Sequence, residues 1–187
     1  MTGHQRADAR RNRDQLLAVA AEALAEQGVD VSLRDVARRA GVGIGTLYRH
    51  FPTREALLEA LFRNRFDGLR DRGAELLAAA DPRQALLTWL ADLAAGAASY
   101  RGLPESVLDA LRDETSELHV SCHAMQAAGA ALLDRAQQAG TLRPDVAIEE
   151  ILALTAGVAW ASHHTDHHTA IDRLLTLTMT GLATPPP

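Results

Sequence analysis

Ala40-Gly41-Val42-Gly43-Ile44-Gly45-Thr46-Leu47-Tyr48-Arg49-His50-Phe51 decides the fold of this chain. It reads as a tight turn followed by a short helix. Gly41 stands where a preceding helix, ending near Arg39 or Ala40, needs a left-handed residue to stop. Val42 and Leu47 are expected to point inward, which leaves Ile44, Thr46, Tyr48, Arg49 and His50 on or near the outer face. Gly43 takes the N-cap position of the second helix. With Gly45 it keeps the first turn bare, so that backbone N–H groups can approach a phosphate closely. Two short helices joined by a glycine-bearing turn, the second polar outside, form a helix-turn-helix. Its second helix lies in the DNA major groove and its N-terminal residues meet base edges.

Upstream, Ser32 is a strong N-cap with Asp35 three residues on, a capping box with Asp in place of Glu. Val31 and Val36 make the matching hydrophobic staple. The helix so begun carries Arg34, Arg38 and Arg39, so one side is basic. Before it, a helix is expected from about Arg10 to Gln27, with Leu16, Ala20, Ala23, Leu24 and Gln27 at helical spacing and Gly28 as its stop. Residues 1–9 read as frayed. Arg6, Arg10, Arg11 and Arg13 form a basic lead-in of the kind that touches phosphates. Downstream, Phe51-Pro52 closes the short helix, and Thr53 caps another that opens with Arg54 and Glu55.

These residues carry a resemblance. Ser32-Leu33-Arg34-Asp35-Val36-Ala37-Arg38-Arg39-Ala40-Gly41-Val42, then Gly45-Thr46-Leu47-Tyr48-Arg49-His50-Phe51, then Thr53-Arg54-Glu55-Ala56-Leu57, resemble the N-terminal domain of the TetR family of bacterial transcriptional regulators over about residues 10–60. The resemblance implies an all-helical, cytoplasmic, homodimeric repressor. A three-helix DNA-binding domain would precede a divergent helical domain that dimerises and binds an effector. Many members carry Ser or Thr where this chain has Gly43, and Lys where it has Arg54. The first departure removes one possible DNA contact; the second preserves a cation for a phosphate.

The residue chemistry supports the same roles. Tyr48 and His50 can hydrogen-bond phosphate oxygens, and Arg54 at a helix start can pair with one. Ile44 and Thr46 can meet a thymine methyl, Thr46 can hydrogen-bond a base edge, and Arg49 can reach a guanine. With Ser32, Arg34, Gly43 and Gly45 these make the expected DNA-facing set.

The rest of the chain is expected to be all-α, bringing the total to about nine helices. A long helix from Arg54 to about Ala79 joins a DNA-binding domain, 1–66, to an effector and dimerisation domain, 67–187. Asp81-Pro82 starts a fifth helix ending at Arg101-Gly102. Pro104 opens a sixth, Glu117 to Ala139 make a seventh, Pro144-Asp145 starts an eighth, and Ile171 to Leu182 lie in a ninth. The last two are rich in Ala, Gly, Thr and Leu and apolar on more than one face, as a dimer interface requires; the resemblance implies a four-helix bundle with the second copy. A dimer calls for an approximately palindromic operator. Phe62, Phe66, Trp89, Tyr100, Met125 and Trp160 are large side chains in an Ala/Leu interior and the expected lining of a pocket for a small apolar effector. His119 and His123 share a helix face beside Cys122, and polar lining or a solvated helix edge is the favoured reading over a metal site. His163, His164, Asp166, His167 and His168 read as surface histidines with Asp166 as an N-cap.

Charge agrees with this division. Over residues 1–72 there are 13 arginines against 10 acidic residues; over 73–187 there are 6 against 14. A basic end on an acidic remainder suits one nucleic-acid partner at one end. All 19 basic residues are Arg, a matter of composition rather than mechanism. One cysteine excludes an internal disulfide framework and fits a reducing compartment. No membrane span, secretory segment, cofactor motif, nucleophile elbow or phosphate loop is evident. The chain is therefore expected to be a ligand-controlled transcriptional repressor and not an enzyme, without a cofactor. An activator, or a regulator controlled by a protein partner without a small-molecule effector, is the alternative.

Overall fold

The computed structural model describes the backbone of residues 3–96, 103–164 and 170–183, and the side chains of 12–96, 103–162 and 171–183. Among the described residues there are nine α-helices. They are α1 (Gly3–Gln27), α2 (Leu33–Arg39), α3 (Ile44–His50), α4 (Arg54–Leu76), α5 (Pro82–Ala95), α6 (Glu105–Arg112), α7 (Glu117–Gln138), α8 (Ile148–His164) and α9 (Ala170–Gly181). The one extended pairing among them is an isolated bridge, Leu142 to Ala183. The chain divides into two compact units: Met1–Asn64 with Ser99–Leu118, and Arg65–Ala98 with His119–Pro187.

The first unit is built as the turn chemistry dictates. Gly28 and Gly41 both sit in the left-handed region, at φ 71° and 68°. Gly41 ends α2 there, and the Val42 amide donates to the Ala37 carbonyl at 3.0 Å. The Ser32 hydroxyl accepts from the Asp35 amide at 3.4 Å, capping α2. Leu16, Ala20, Ala23, Val31, Val36, Leu47, Leu57 and Leu58 are essentially inaccessible and form the core. Burying each large aliphatic side chain contributes roughly 1.5–3 kcal/mol. α1 starts at Gly3, earlier than the expected Arg10, and residues 3–9 contain no proline to interrupt it. The long-range addition is α6, which joins this unit although α5, of the second unit, lies between it and α4 in sequence.

The second unit centres on Trp89. Its ring is fully buried, and its Nε1–H donates to the Leu69 carbonyl of α4 at 2.8 Å. Gly73 and Gly129 lie against the indole so closely that a Cβ on Gly129 would fall 2.7 Å from it. Arg65 donates to the carbonyls of Asp92 and Leu93 at 2.8 and 3.1 Å. That satisfies last-turn carbonyls of α5, which stops at Ala95 with Gly96 as its cap, short of the expected Arg101-Gly102. Residues 97–102, and with them Tyr100 and that stop, lie outside the described set. α4 ends at Leu76 rather than Ala79, as Ala78 and Ala79 turn back onto Glu75 and Leu76. α8 begins at Ile148, not at Pro144-Asp145. Gln137 donates to the carbonyls of Arg143 and Val146, each at 3.0 Å, and holds 143–146 as a turn. Glu150 then accepts from the Ala147 amide at 2.9 Å and starts the helix. His163 and His164 belong to the backbone of α8, whereas Asp166, His167 and His168 lie outside the described residues.

Candidate nucleic-acid interface

Helix α3 is seven residues long, and its outward face is bare. Gly43 is the N-cap, at φ −68° and ψ 144°, with no capping side chain. A Cβ on Gly43 or Gly45 would meet nothing within 4 Å, so both glycines open onto free space. Backbone N–H groups at this end carry the positive end of the helix dipole. Ile44 and Tyr48, one turn apart, are 37% and 47% exposed, high for residues of their size and indicative of an unpaired contact face. Leu47 on the opposite side is fully buried and anchors the helix.

The polar members of the expected set are placed unequally. Arg49 lies back along its own helix, donating to the Gly45 carbonyl at 3.2 Å and the Thr46 hydroxyl at 3.4 Å. These bonds are exposed and exchangeable, so the guanidinium remains within reach of a ligand. Thr46 is half-buried. His50, also half-buried, sits at the end of the helix with its ring 6.3 Å from Phe51. It lines a cleft there and lies one turn beyond Thr46. Ser32 spends its hydroxyl on the cap of α2, and its side chain is exposed beside that bond. Arg34 is exposed and has no ion-pair partner among the described residues.

The basic side of α2 is more neutral than its composition suggests. Asp35 pairs with Arg38 and, at 2.7 Å, with Arg39. Arg39 also reaches Glu26 of α1 at 2.7 Å. The Arg38 guanidinium holds the Asp35 carboxyl below its ordinary range; partial desolvation opposes this, and Gln27 and Arg39 add to the lowering. Arg54 likewise has an internal partner. It donates to the Asp30 carbonyl at 3.1 Å and lies 3.4 Å from the Asp30 carboxylate. Thr53 caps α4 through the Ala56 amide at 3.1 Å. Residue spacing shows that Arg54 opens a helix, but the partnership with Asp30 is set by tertiary packing and has no local signal.

The arrangement can therefore dock a short helix, with a bare N-terminus and an Ile44/Tyr48 face, against a polyanion. The 16–61 segment matches the family model for bacterial regulatory proteins of the tetR family. Residues 81–184 match the C-terminal domain model described as transcriptional regulator SbtR-like. The chain belongs to the TetR family. It is a TetR-family transcriptional regulator, and that membership places it among DNA-binding regulators rather than enzymes. The TetR transcriptional regulator SCO0520 of Streptomyces coelicolor is 38% identical, with 93% of this chain and 99% of that one covered, at a TM-score of 0.75. A TetR regulatory protein from Mycobacterium vanbaalenii is 36% identical over 96% and 99% of the two chains, at a TM-score of 0.68. An HTH-type regulator, SAR0097 of Staphylococcus aureus, is 41% identical over 66 residues, 34% of either chain. The chain thus matches about a third of the length of such curated relatives, and the matched part is of reading-head size.

Four of the expected effector residues, Phe62, Phe66, Trp89 and Met125, are buried side chains. Trp89 is packed and hydrogen-bonded as described. Met125 is buried, Phe62 and Phe66 are buried on either side of the division between the units, and Tyr100 is outside the described residues. Trp160 is 59% exposed on α8. His119 and His123 stack at 6.2 Å between ring centroids along α7. Burial pushes the Cys122 thiol up from its ordinary value. Among the described residues no group of three or more His, Cys, Asp or Glu side chains could hold a metal ion. A separate cavity of about 390 Å³ in the second unit opens between α5 and α9, beside Leu87, Thr88, Ala91, Asp92, Asp172 and Leu175. No described helix is long and apolar enough to cross a membrane.

Proposed function

We propose that the chain is a homodimeric repressor that reads an approximately palindromic operator with two copies of α3 and is released by a small effector bound in the second unit. The observation that carries this reading is the α3 face itself: Ile44 and Tyr48 are exposed beside two open glycines, while the same helix is pinned from behind by buried Leu47. Ile44, Thr46 and Arg49 would meet base edges; Tyr48, His50, Ser32, Arg34 and Arg54 would meet phosphates. Two relatives with the printed name HTH-type transcriptional repressor KstR2, one from Mycolicibacterium smegmatis at 38% identity over 66 residues, support the sign of regulation.

The second copy would dock on α8 and α9. Leu154, Trp160 and Leu177 are 47%, 59% and 57% exposed there. Ala153, Gly157 and Ala161 continue the α8 face beside an open apolar groove that includes Leu174. Exposed Trp and Leu beside small residues on two helices are what a helix-packed interface needs. The effector would use the α5–α9 cavity rather than the filled space around Trp89. The reading places the protein in the cytoplasm, where its operator is.

The test is selection from random duplexes at moderate salt, comparing the native chain with a Thr46→Ala, Tyr48→Ala double variant. Enrichment of a palindrome by the native chain alone supports the proposal. Enrichment of nothing by either chain contradicts it and favours control through a protein partner.

A further inference from the structure

The first unit holds a cavity of its own, about 290 Å³, under the last turn of α3. Its floor is apolar: Phe51 is 2% exposed, Ala60 7% and Leu118 3%. Its walls carry charge of both signs. The Arg13 guanidinium stands 5.4 Å over the Phe51 ring and has no carboxylate partner among the described residues. Arg63 of α4 reaches in from the other side, with its side chain 29% exposed. Arg63 is paired with Glu117, whose side chain is 81% exposed and so is held by little else. Glu59 faces the same space.

This is an anion site whose anion belongs to the protein. We propose that the cavity binds a small organic monocarboxylate, which takes the place of the Glu117 carboxylate on Arg63 and is shared with Arg13. Three features set the ligand class. Arginine forks favour carboxylates through paired N–H donors. The apolar floor asks for a compact apolar body, and the volume sits at the lower end for ligand pockets, enough for a single ring. With Glu117 turned out to solvent, Arg13 and Arg63 face Glu59, leaving one net positive charge for one monoanion. A dianion would meet Glu59 uncompensated. Release of Glu117 frees the first residue of α7 from α4 beside the end of the reading helix, so occupancy is felt at His50 and Phe51. The site is distinct from the effector cavity of the second unit and does not depend on the operator.

Calorimetric titration of the full chain with benzoate tests the proposal, with benzamide and inorganic phosphate as the uncharged and ring-free probes. Saturable benzoate binding at one site per chain is expected, at least tenfold tighter than either control. Glu117→Gln, which removes the competing carboxylate, should tighten benzoate binding several-fold; Arg63→Met and Arg13→Met should each abolish it, with helicity retained by circular dichroism. Absence of saturable benzoate binding to the Glu117→Gln chain overturns the proposal. So does benzoate binding that is unchanged in a folded Arg63→Met or Arg13→Met chain, since the ligand then sits elsewhere.

Discussion

Arg54 Nη2 donates to the backbone carbonyl of Asp30 at 3.1 Å, tying the start of α4 to the turn ahead of α2. The Asp30 carboxylate, 91% exposed, lies 3.4 Å from the same guanidinium. An arginine suited to a DNA phosphate thus has a competing anion beside it. Asp30→Asn keeps the carbonyl bond and removes that competitor, so duplex affinity should rise several-fold at low salt. Arg54→Ala should lower affinity and flatten its salt dependence by about one unit of log–log slope, the loss expected for one phosphate contact. Fluorescence anisotropy on a labelled duplex over a salt series measures both.

Gly157 has open space where a side chain would stand, and it lies on the α8 face between Ala153 and Ala161. Gly157→Arg should leave the folded subunit intact and prevent two copies from meeting. Sedimentation velocity should show the native chain as a dimer and the variant as a monomer of unchanged helicity. A native monomer at micromolar concentration would remove the proposed interface.

Gly129 presents the opposite case. A methyl there would fall 2.7 Å from the Trp89 ring, which is itself held at Leu69. Overpacking costs roughly 1–3 kcal/mol, more than the ~1 kcal/mol that Gly→Ala gains inside a helix. Gly129→Ala should therefore lower the unfolding midpoint, whereas Gly68→Ala, inside α4 with nothing within 4 Å of the added carbon, should raise it slightly. Thermal unfolding of the two variants side by side distinguishes packing from helix propensity.

Cys122 supplies a pH prediction. Desolvation raises its thiol pKa above the ordinary value, so the thiol is neutral at pH 7 and weakly nucleophilic. Alkylation by iodoacetamide should be slow in the folded chain and should keep accelerating above pH 9, whereas the urea-unfolded chain should level off nearer its ordinary pKa. The contribution of the neutral thiol is present below the unfolded pKa and lost as pH rises through the folded one.

The reading head was legible because its determinants are local. Gly41 needs a left-handed residue, Ser32 needs only the amide of Asp35, and Thr53 needs that of Ala56. The residue types write these bonds directly into the spacing. The second unit was legible as helices and opaque as a site. Trp89 as pocket lining and Trp89 as core look the same in sequence; Gly73 and Gly129, distant in the chain, decide between them. The same holds for α6. Its membership in the first unit, and the Arg63–Glu117 pair that accompanies it, join residues distant in sequence, which no local pattern encodes. Trp160 reads as a large side chain in an Ala/Leu interior, yet it is 59% exposed, because spacing along one helix does not tell which apolar face the subunit itself covers.

The central claim is that two copies of α3 read one operator together. The decisive measurement is the affinity of the native chain for its selected duplex before and after about five base pairs, half of the ~10-base-pair helical turn, are inserted between the half-sites. The account predicts a large loss of affinity, with recovery when a full turn is inserted. Equal affinity for the native, half-turn and full-turn spacings would contradict it, because a head that reads each half-site alone does not sense their separation.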